Sequence, residues 1–286
     1  MKTKAAFHRA LPTWCRGCGL FGLFDALKRA AAALDLEPEN LAVVTGIGCH
    51  GRMNNYFFGY GFHGLHGRAL PVAAGVKLAN PGLQVLAVSG DGDAYSIGLG
   101  HFIHTLRKNV NLTYLVANNR IYALTQGQAS PTTDFGMVTL STPFGSKDFP
   151  VEGPALALAA GGTFIARGFS GNVAGLAGLI EKGMRHDGFA LIDVLSPCVT
   201  HNKVNSYEWY KSHIFRVEDE PGYNPKDKSG AWQALHHPEK IALGLLYSEE
   251  KPSLDRLILP EYEKSIALAE LTVDRPKLQK IMEKFR

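Results

Sequence analysis

The chain has 286 residues, 45% of them hydrophobic and 20% charged, and carries a formal net charge of +4. That is enough chain for one large domain, or two small ones, with a real core. The charge is too small, and too free of Lys/Arg runs, to argue for nucleic acid, and no apolar stretch is long enough for a membrane span. Residues Met1 to Arg9 lead into a tryptophan–cysteine motif without a signal-peptide apolar core, so a cytoplasmic setting with reduced cysteines is expected.

In chain order, strands are predicted at Leu41–Thr45, Leu83–Ser89, Leu112–Ala117, Thr163–Ala166 and Phe189–Leu195. Helices are predicted between them, with Leu99, Phe102, Ile103 and Leu106 on one face. Val173, Leu176, Leu179, Ile180 and Met184 form another. Alternating strands and helices give an α/β fold with a doubly wound parallel sheet. The stretch Gln126 to Val151, rich in glycine, proline, serine and threonine, is too long for an ordinary connection and reads as a functional loop. Beyond Asn205 the composition shifts, with a loop-like Glu218 to Lys226 and no further strand rhythm. Leu278, Ile281, Met282 and Phe285 form a last amphipathic set. The expected organisation is a domain over 1–204 and a C-terminal extension over 205–286, an arm packing on a partner or over the active site.

The most telling segment runs from Gly90-Asp91-Gly92 to Asn118-Asn119. One predicted strand ends at the first motif, a helix follows, and a second strand ends at the asparagines. In a right-handed βαβ unit both strand ends emerge on one edge of the sheet, so Asp91 and Asn119 can face one ion. Magnesium takes about six hard oxygens, which a carboxylate, an amide oxygen, a main-chain carbonyl and a diphosphate can supply. The flanking glycines are expected to let the backbone approach the phosphates. Either piece alone reads as a turn or a loop; their order and spacing argue for the site.

The cysteines are Cys15, Cys18, Cys49 and Cys198. The Cys15-x-x-Cys18 pair can put two thiolates on one metal centre. A thioredoxin-like pair lacks its preceding strand here. Structural zinc favours two close pairs over one pair and two singles, whereas an iron–sulfur cluster tolerates scattered ligands. Cys49 and Cys198 taken alone read as buried thiols. Both follow predicted strands, though, and so fall on the edge that carries Asp91, which favours a cluster there. Gly46 to Gly51 reads as a dinucleotide fingerprint, but the acidic residue expected about twenty positions on is absent. His101 and His104 read as surface positions on a helix.

The Gly-Asp-Gly and Asn-Asn pair resembles the thiamine diphosphate signature, which implies Asp91, Asn119 and the Ile121 carbonyl as magnesium ligands. Trp14-Cys-Arg-Gly-Cys-Gly19, Gly46-Ile-Gly-Cys-His-Gly-Arg52, His63 to Ala69, Asn118 to Thr125, Ser196-Pro-Cys198 and Tyr207-Glu-Trp-Tyr210 extend the likeness. Together these motifs, from about residue 10 to 250, resemble the β subunit of 2-oxoacid:ferredoxin oxidoreductases of the 2-oxoglutarate type. The resemblance implies the thiamine diphosphate-binding fold and one 4Fe-4S cluster on Cys15, Cys18, Cys49 and Cys198. It further implies a cofactor site at Ile47, Gly48, Cys49, His50, His66, Gly90, Gly92, Asp93, Ala123 and Leu124, with Arg52 and Leu124 at the substrate. The implied reaction is coenzyme A-dependent oxidative decarboxylation of a 2-oxoacid to acyl-CoA and CO2 with reduction of ferredoxin. An α subunit, in an α2β2 assembly, is implied because one thiamine-type domain fills most of the chain.

The family more often has proline at Arg16, threonine at Gly64, glycine at Ala123 and lysine at Gln126. The last change removes a positive charge near the substrate carboxylates. 2-Oxoglutarate is ranked first, with His50, Arg52 and His63 as candidate partners for its carboxylates, and pyruvate or broad specificity second. A non-oxidative thiamine decarboxylase would leave four cysteines idle. A zinc-stabilised binding module would leave Asp91 and Asn119 unexplained.

Overall fold

The computed structural model describes residues 2–258 and 275–284. Its strands are β1 (Leu41–Thr45), β2 (Tyr60–His63), β3 (Gln84–Gly90), β4 (Leu112–Asn118), β5 (Ile121–Tyr122), β6 (Gln128–Ala129), β7 (Phe164–Phe169), β8 (Phe189–Leu195), β9 (Ile214–Arg216) and β10 (Ile241–Ser248). Eight of them form one sheet in the order β2-β1-β3-β4-β8-β7-β10-β9, and β5 pairs with β6 alone. All neighbours in the large sheet are parallel except β10, which runs antiparallel to β7.

Helices cover both faces because the strands are apolar on both. They are α1 (Leu20–Ala33), α2 (Met53–Tyr56), α3 (Ala69–Ala79), α4 (Leu99–Lys108), α5 (Gly153–Ala159), α6 (Val173–Arg185), α7 (Tyr207–His213), α8 (Lys228–Leu235), α9 (Leu254–Ile258) and α10 (Arg275–Glu283). Along β1, Leu41 and Val43 face the core under α1 and α6, while Ala42 and Val44 face the core under α3, α4, α5 and α8. The same alternation runs through β3, β4 and β8. A strand buried on both sides shows no polar alternation, so it reads as a continuous apolar run. Each large aliphatic side chain so buried stabilises the fold by about 1.5–3 kcal/mol.

The predicted strands fall where expected, with bounds moved by one to three residues at β3, β4 and β7. Two expectations need correcting. The region beyond Asn205 does carry strand structure, because β9 and β10 extend the large sheet. Between them in sequence, Tyr223 reaches back, its Oη donating to the Leu246 carbonyl at 2.5 Å. Further on, the Asn109 amide donates to the Lys251 and Pro252 carbonyls, both at 3.1 Å. Strand β2, an exposed edge of aromatic and glycine residues, is also additional. In the last amphipathic set Leu278, Ile281 and Met282 are exposed on α10, and Phe285 lies outside the described residues. Among the described residues no helix is long and apolar enough to cross a membrane.

Candidate active site

Strands β3 and β4 are parallel neighbours, with Gly90 opposite Ala117. Asp91 and Asn119, one residue beyond each strand, therefore line one cavity of about 260 Å³ together with Ile121. Arg120 between them adopts φ 59°, a left-handed kink that sends its side chain away to pair with Asp134 and to lie over Trp209 at 5.5 Å. The Asn202 amide supports this turn from the chain after β8, donating to the Asn119 carbonyl at 3.0 Å. The Asn119 side-chain oxygen is braced by the Ile121 N–H at 3.1 Å.

Asp91 is almost wholly buried, and burial raises its pKa although several donors work the other way. Ser130 and Thr132 donate to its Oδ2 at 2.5 and 2.7 Å, and the Asn119 N–H approaches Oδ1 at 3.3 Å. These hydroxyls come from the long loop after Gln126, which β5 and β6 fold back over the sheet edge. A buried carboxylate with two hydroxyl donors and one free-facing oxygen suits a hard dication, since a positive charge offsets the cost of burying the negative one.

Asp93 anchors a second group. Its Oδ1 lies 2.7 Å from His66 Nδ1 and accepts from the Gly67 N–H at 2.6 Å and the Ile47 N–H at 3.3 Å. Burial opposes its charge, yet the Ser89 hydroxyl and the Gly67 amide help to pull its pKa below the ordinary carboxylate value. An imidazole bound to a carboxylate through Nδ1 presents Nε2 to the other side, and His66 lines the cavity.

His50 is placed differently from its expected substrate role. Its buried Nε2 accepts the Gly90 N–H at 3.1 Å and so has no proton to give Asp93 Oδ2, which lies 3.7 Å away. That carboxylate oxygen has no hydrogen-bond donor among the described residues. The flanking glycines also make room for the protein's own side chains. A Cβ on Gly90 would stand 3.1 Å from the His50 ring, and one on Gly92 would stand 2.1 Å from the Tyr122 ring. The space beside them is taken by the protein's own side chains.

The four cysteines line a second cavity of about 530 Å³, along with Arg52, His63 and His201. Cys49, Asn119, Ile47, Gly48, Ala123 and Leu124 line both cavities, so the two are contiguous. The thiol wall is assembled by packing and close backbone approach. Trp14 Nε1 donates to the Cys49 carbonyl at 2.7 Å, tying the Cys-x-x-Cys turn to the end of β1. The Gly19 N–H donates to the Pro197 carbonyl at 3.0 Å, and a Cβ on Gly19 would stand 2.6 Å from Ser196 Oγ. That contact brings the turn against Cys198.

Burial pushes the Cys18 thiol up to about 12, and the other three cysteines push in the same direction. Cys49 is raised likewise by burial and by Cys198 and Cys15. Four thiolates here therefore call for a compensating polycation. Among the described residues no three His, Cys, Asp or Glu side chains stand close enough to hold one ion. Tetrahedral zinc needs its sulfurs about 2.3 Å from a single point. A four-iron cluster gives each thiolate its own iron and suits thiols spread around one cavity. Arg52 extends along the same wall, its guanidinium donating to Thr13 Oγ1 at 3.2 Å.

Several contributors here were not anticipated: Ser130, Thr132, Asn202 and His201. The loop composition flagged the neighbourhood of the first two, but no local pattern names them.

Comparison with known proteins agrees with this edge. Residues 46–194 match the family described as thiamine pyrophosphate enzyme, C-terminal TPP binding domain. Residues 198–264 match the C-terminal family of the pyruvate ferredoxin oxidoreductase beta chain. The chain is 44% identical over 244 residues to the 2-oxoacid:ferredoxin oxidoreductase 2 subunit beta of Aeropyrum pernix, covering 82% of this chain and 79% of that one. It is 40% identical over 206 residues to the 2-oxoglutarate synthase subunit KorB of Archaeoglobus fulgidus, covering 70% and 75%. A solved 2-oxoglutarate:ferredoxin oxidoreductase from Magnetococcus marinus, with 2-oxoglutarate, coenzyme A and succinyl-CoA bound, superposes with a TM-score of 0.91 at 35% identity, covering 98% of this chain and 96% of that one. The chain belongs to the β-subunit family of 2-oxoacid:ferredoxin oxidoreductases, and residues 46–194 are its thiamine pyrophosphate-binding domain.

Proposed function

We propose that this chain holds the reaction centre of a coenzyme A-dependent oxidoreductase that decarboxylates 2-oxoglutarate and passes the electrons to ferredoxin. The observation that supports it most is the continuity of the two cavities, with Cys49 and Asn119 in the wall they share. On this reading Asp91, Asn119 and the Ile121 carbonyl hold Mg2+, and His66 with Gly90, Gly92 and Asp93 borders the diphosphate. Ile47, Gly48, His50, Ala123 and Leu124 border the rest of the cofactor. Cys15, Cys18, Cys49 and Cys198 hold one 4Fe-4S cluster. When bound, thiamine diphosphate supplies an electron sink for decarboxylation and the cluster supplies one-electron acceptance.

The chain's own residues do the rest. Ile47, Ala123 and Leu124 give the shared wall an apolar face. Arg52 offers a fork of donors to the 1-carboxylate, beside Leu124, and His63 and His201 stand on the same wall for a distal carboxylate. Among the described residues no glutamate lines either cavity, and Asp91 and Asp93 are both engaged. The carboxylate that thiamine chemistry needs at the aminopyrimidine then comes from an α subunit, in an α2β2 assembly. Reduced free cysteines fit a cytoplasmic setting.

The second reading is pyruvate, favoured by the family match over residues 198–264 and by Gln126 in place of lysine. The test is anaerobic co-purification with the α partner, followed by coenzyme A-dependent ferredoxin reduction across 2-oxoacids. The proposal expects higher kcat/KM for 2-oxoglutarate than for pyruvate, since a buried unpaired carboxylate costs several kcal/mol and the right partner discriminates strongly. The reverse order selects pyruvate; reduction with neither acid overturns the reading.

A further inference from the structure

We propose that Ser130 and Thr132 are positioning residues that make Asp91 a one-oxygen ligand and so tune the site to magnesium over calcium. The inference rests on the metal role proposed for Asp91. Both hydroxyls donate to the same carboxylate oxygen, Oδ2, at 2.5 and 2.7 Å, and leave Oδ1 with only the long 3.3 Å contact from the Asn119 N–H. Two short donors occupy both lone-pair directions of Oδ2. The carboxylate can then turn only Oδ1 toward an ion, unless both hydroxyl bonds break.

That restriction separates the two ions. Magnesium requires a near-octahedral shell of about six oxygens at about 2.0–2.1 Å, whereas calcium takes about six to eight and accepts a carboxylate through both oxygens. A clamped carboxylate satisfies the first and denies the second one of its extra ligands.

The clamp is itself tied to the ligand turn. Thr133 Oγ1 accepts the Ser130 N–H at 2.8 Å and donates to the Arg120 carbonyl at 2.7 Å, so clamp and ligand turn move together. Thr132 Oγ1 also lies 3.0 Å from Asn118 Oδ1. The Asn118 amide nitrogen donates to Asp193 at 3.2 Å, and Asp193 is paired with buried Arg167 at 3.0 Å. That pair fixes which way the Asn118 amide points, so its oxygen is a second acceptor beside Thr132, whose one hydroxyl hydrogen goes to the nearer Asp91 Oδ2. The three clamped side chains, Asp91, Ser130 and Thr132, are all buried, so water does not replace a lost hydroxyl without rearrangement.

The test uses the complex with its α partner, and thiamine diphosphate in excess. Uptake of the cofactor is followed by equilibrium dialysis as Mg2+ or Ca2+ is titrated. Ser130→Ala with Thr132→Val, the latter nearly isosteric, is expected to raise the Mg2+ half-saturation about tenfold or more, the usual effect of losing a group that orients a ligand. The Ca2+ half-saturation should move by about threefold at most, because a freed carboxylate can bind it through two oxygens. Thr132→Ser should keep the native preference. Equal weakening of both ions, or no change in either, overturns the clamp. Should the double variant melt below the assay temperature, Ser130→Ala alone carries the comparison, in the same direction. Asp91→Ala run in parallel separates the failures: unchanged Mg2+ dependence there sinks the metal assignment, whereas its loss beside an unaltered double variant sinks only the clamp.

Discussion

The two halves of this sheet edge are built in opposite ways. Around Asp91 every functional side chain is held by hydrogen bonds from its own chain: hydroxyls on the carboxylate, amides on Asn119, a carboxylate behind His66. Around the cysteines the shape is set by Trp14 and by close glycine contacts, and burial, with the neighbouring cysteines, raises the thiols of Cys18 and Cys49. On the proposed function the first half is preorganised for a dication, and the second is a shaped opening that a polycation would complete. Loss of one group should therefore be graded on the first side and all-or-none on the second.

The largest expected effect is on the thiol side. Cys198→Ala should lower iron clearly below about four per chain, because the cluster loses one of its four thiolate ligands. Anaerobic iron and sulfide analysis reads it directly, and full iron in that variant breaks the contrast. Next comes Gly92→Ala, where a Cβ would stand 2.1 Å from the Tyr122 ring. Such overpacking costs about 1–3 kcal/mol and should weaken thiamine diphosphate binding, with Tyr122→Leu added to the variant recovering most of it. Failure of that recovery would leave close approach to the phosphates as the main reason for the glycine.

Smaller still, Arg52→Ala should raise KM by about tenfold for 2-oxoglutarate and pyruvate alike, since both carry the 1-carboxylate and a charged hydrogen bond contributes about 1.5–3 kcal/mol. A change for one acid alone would move Arg52 to the distal carboxylate. Last, the donors around Asp93 hold its pKa below the ordinary 3.8. A depressed carboxylate stabilises the fold above its unfolded pKa, and that contribution is lost as pH falls below about 4. Asp93→Asn should flatten the acid limb of the stability curve, which urea melts at pH 2 to 5 would show.

Much of the preorganised half was legible because its framework is local. β3, the Gly-Asp-Gly turn, α4 and β4 are contiguous, and doubly buried strands announce themselves as apolar runs. The cysteines could be placed on the edge because Cys49 and Cys198 each follow such a run. Ser130 and Thr132 were not legible, since they reach Asp91 from 39 and 41 residues away through a loop with no periodicity. His50 sits in a telling motif, but a motif does not say which way a ring turns, and this one turns inward to Gly90. β10 was missed because its run follows a loop-like stretch and is broken by Gly244 at φ 117°, so it lacks the rhythm of an exposed strand. Fold class and the ion-facing pair came from short-range pattern; the support behind them came from tertiary contact.

The claim that one sheet edge carries two separately held centres is tested most directly by measuring thiamine diphosphate and iron together in the Asp91→Ala complex, purified anaerobically with its partner. The account predicts that thiamine diphosphate is lost while iron stays at about four per chain, because Asp91 is the only carboxylate among the proposed magnesium ligands and touches none of the cysteines' supports. Thiamine diphosphate retained at native occupancy would contradict it.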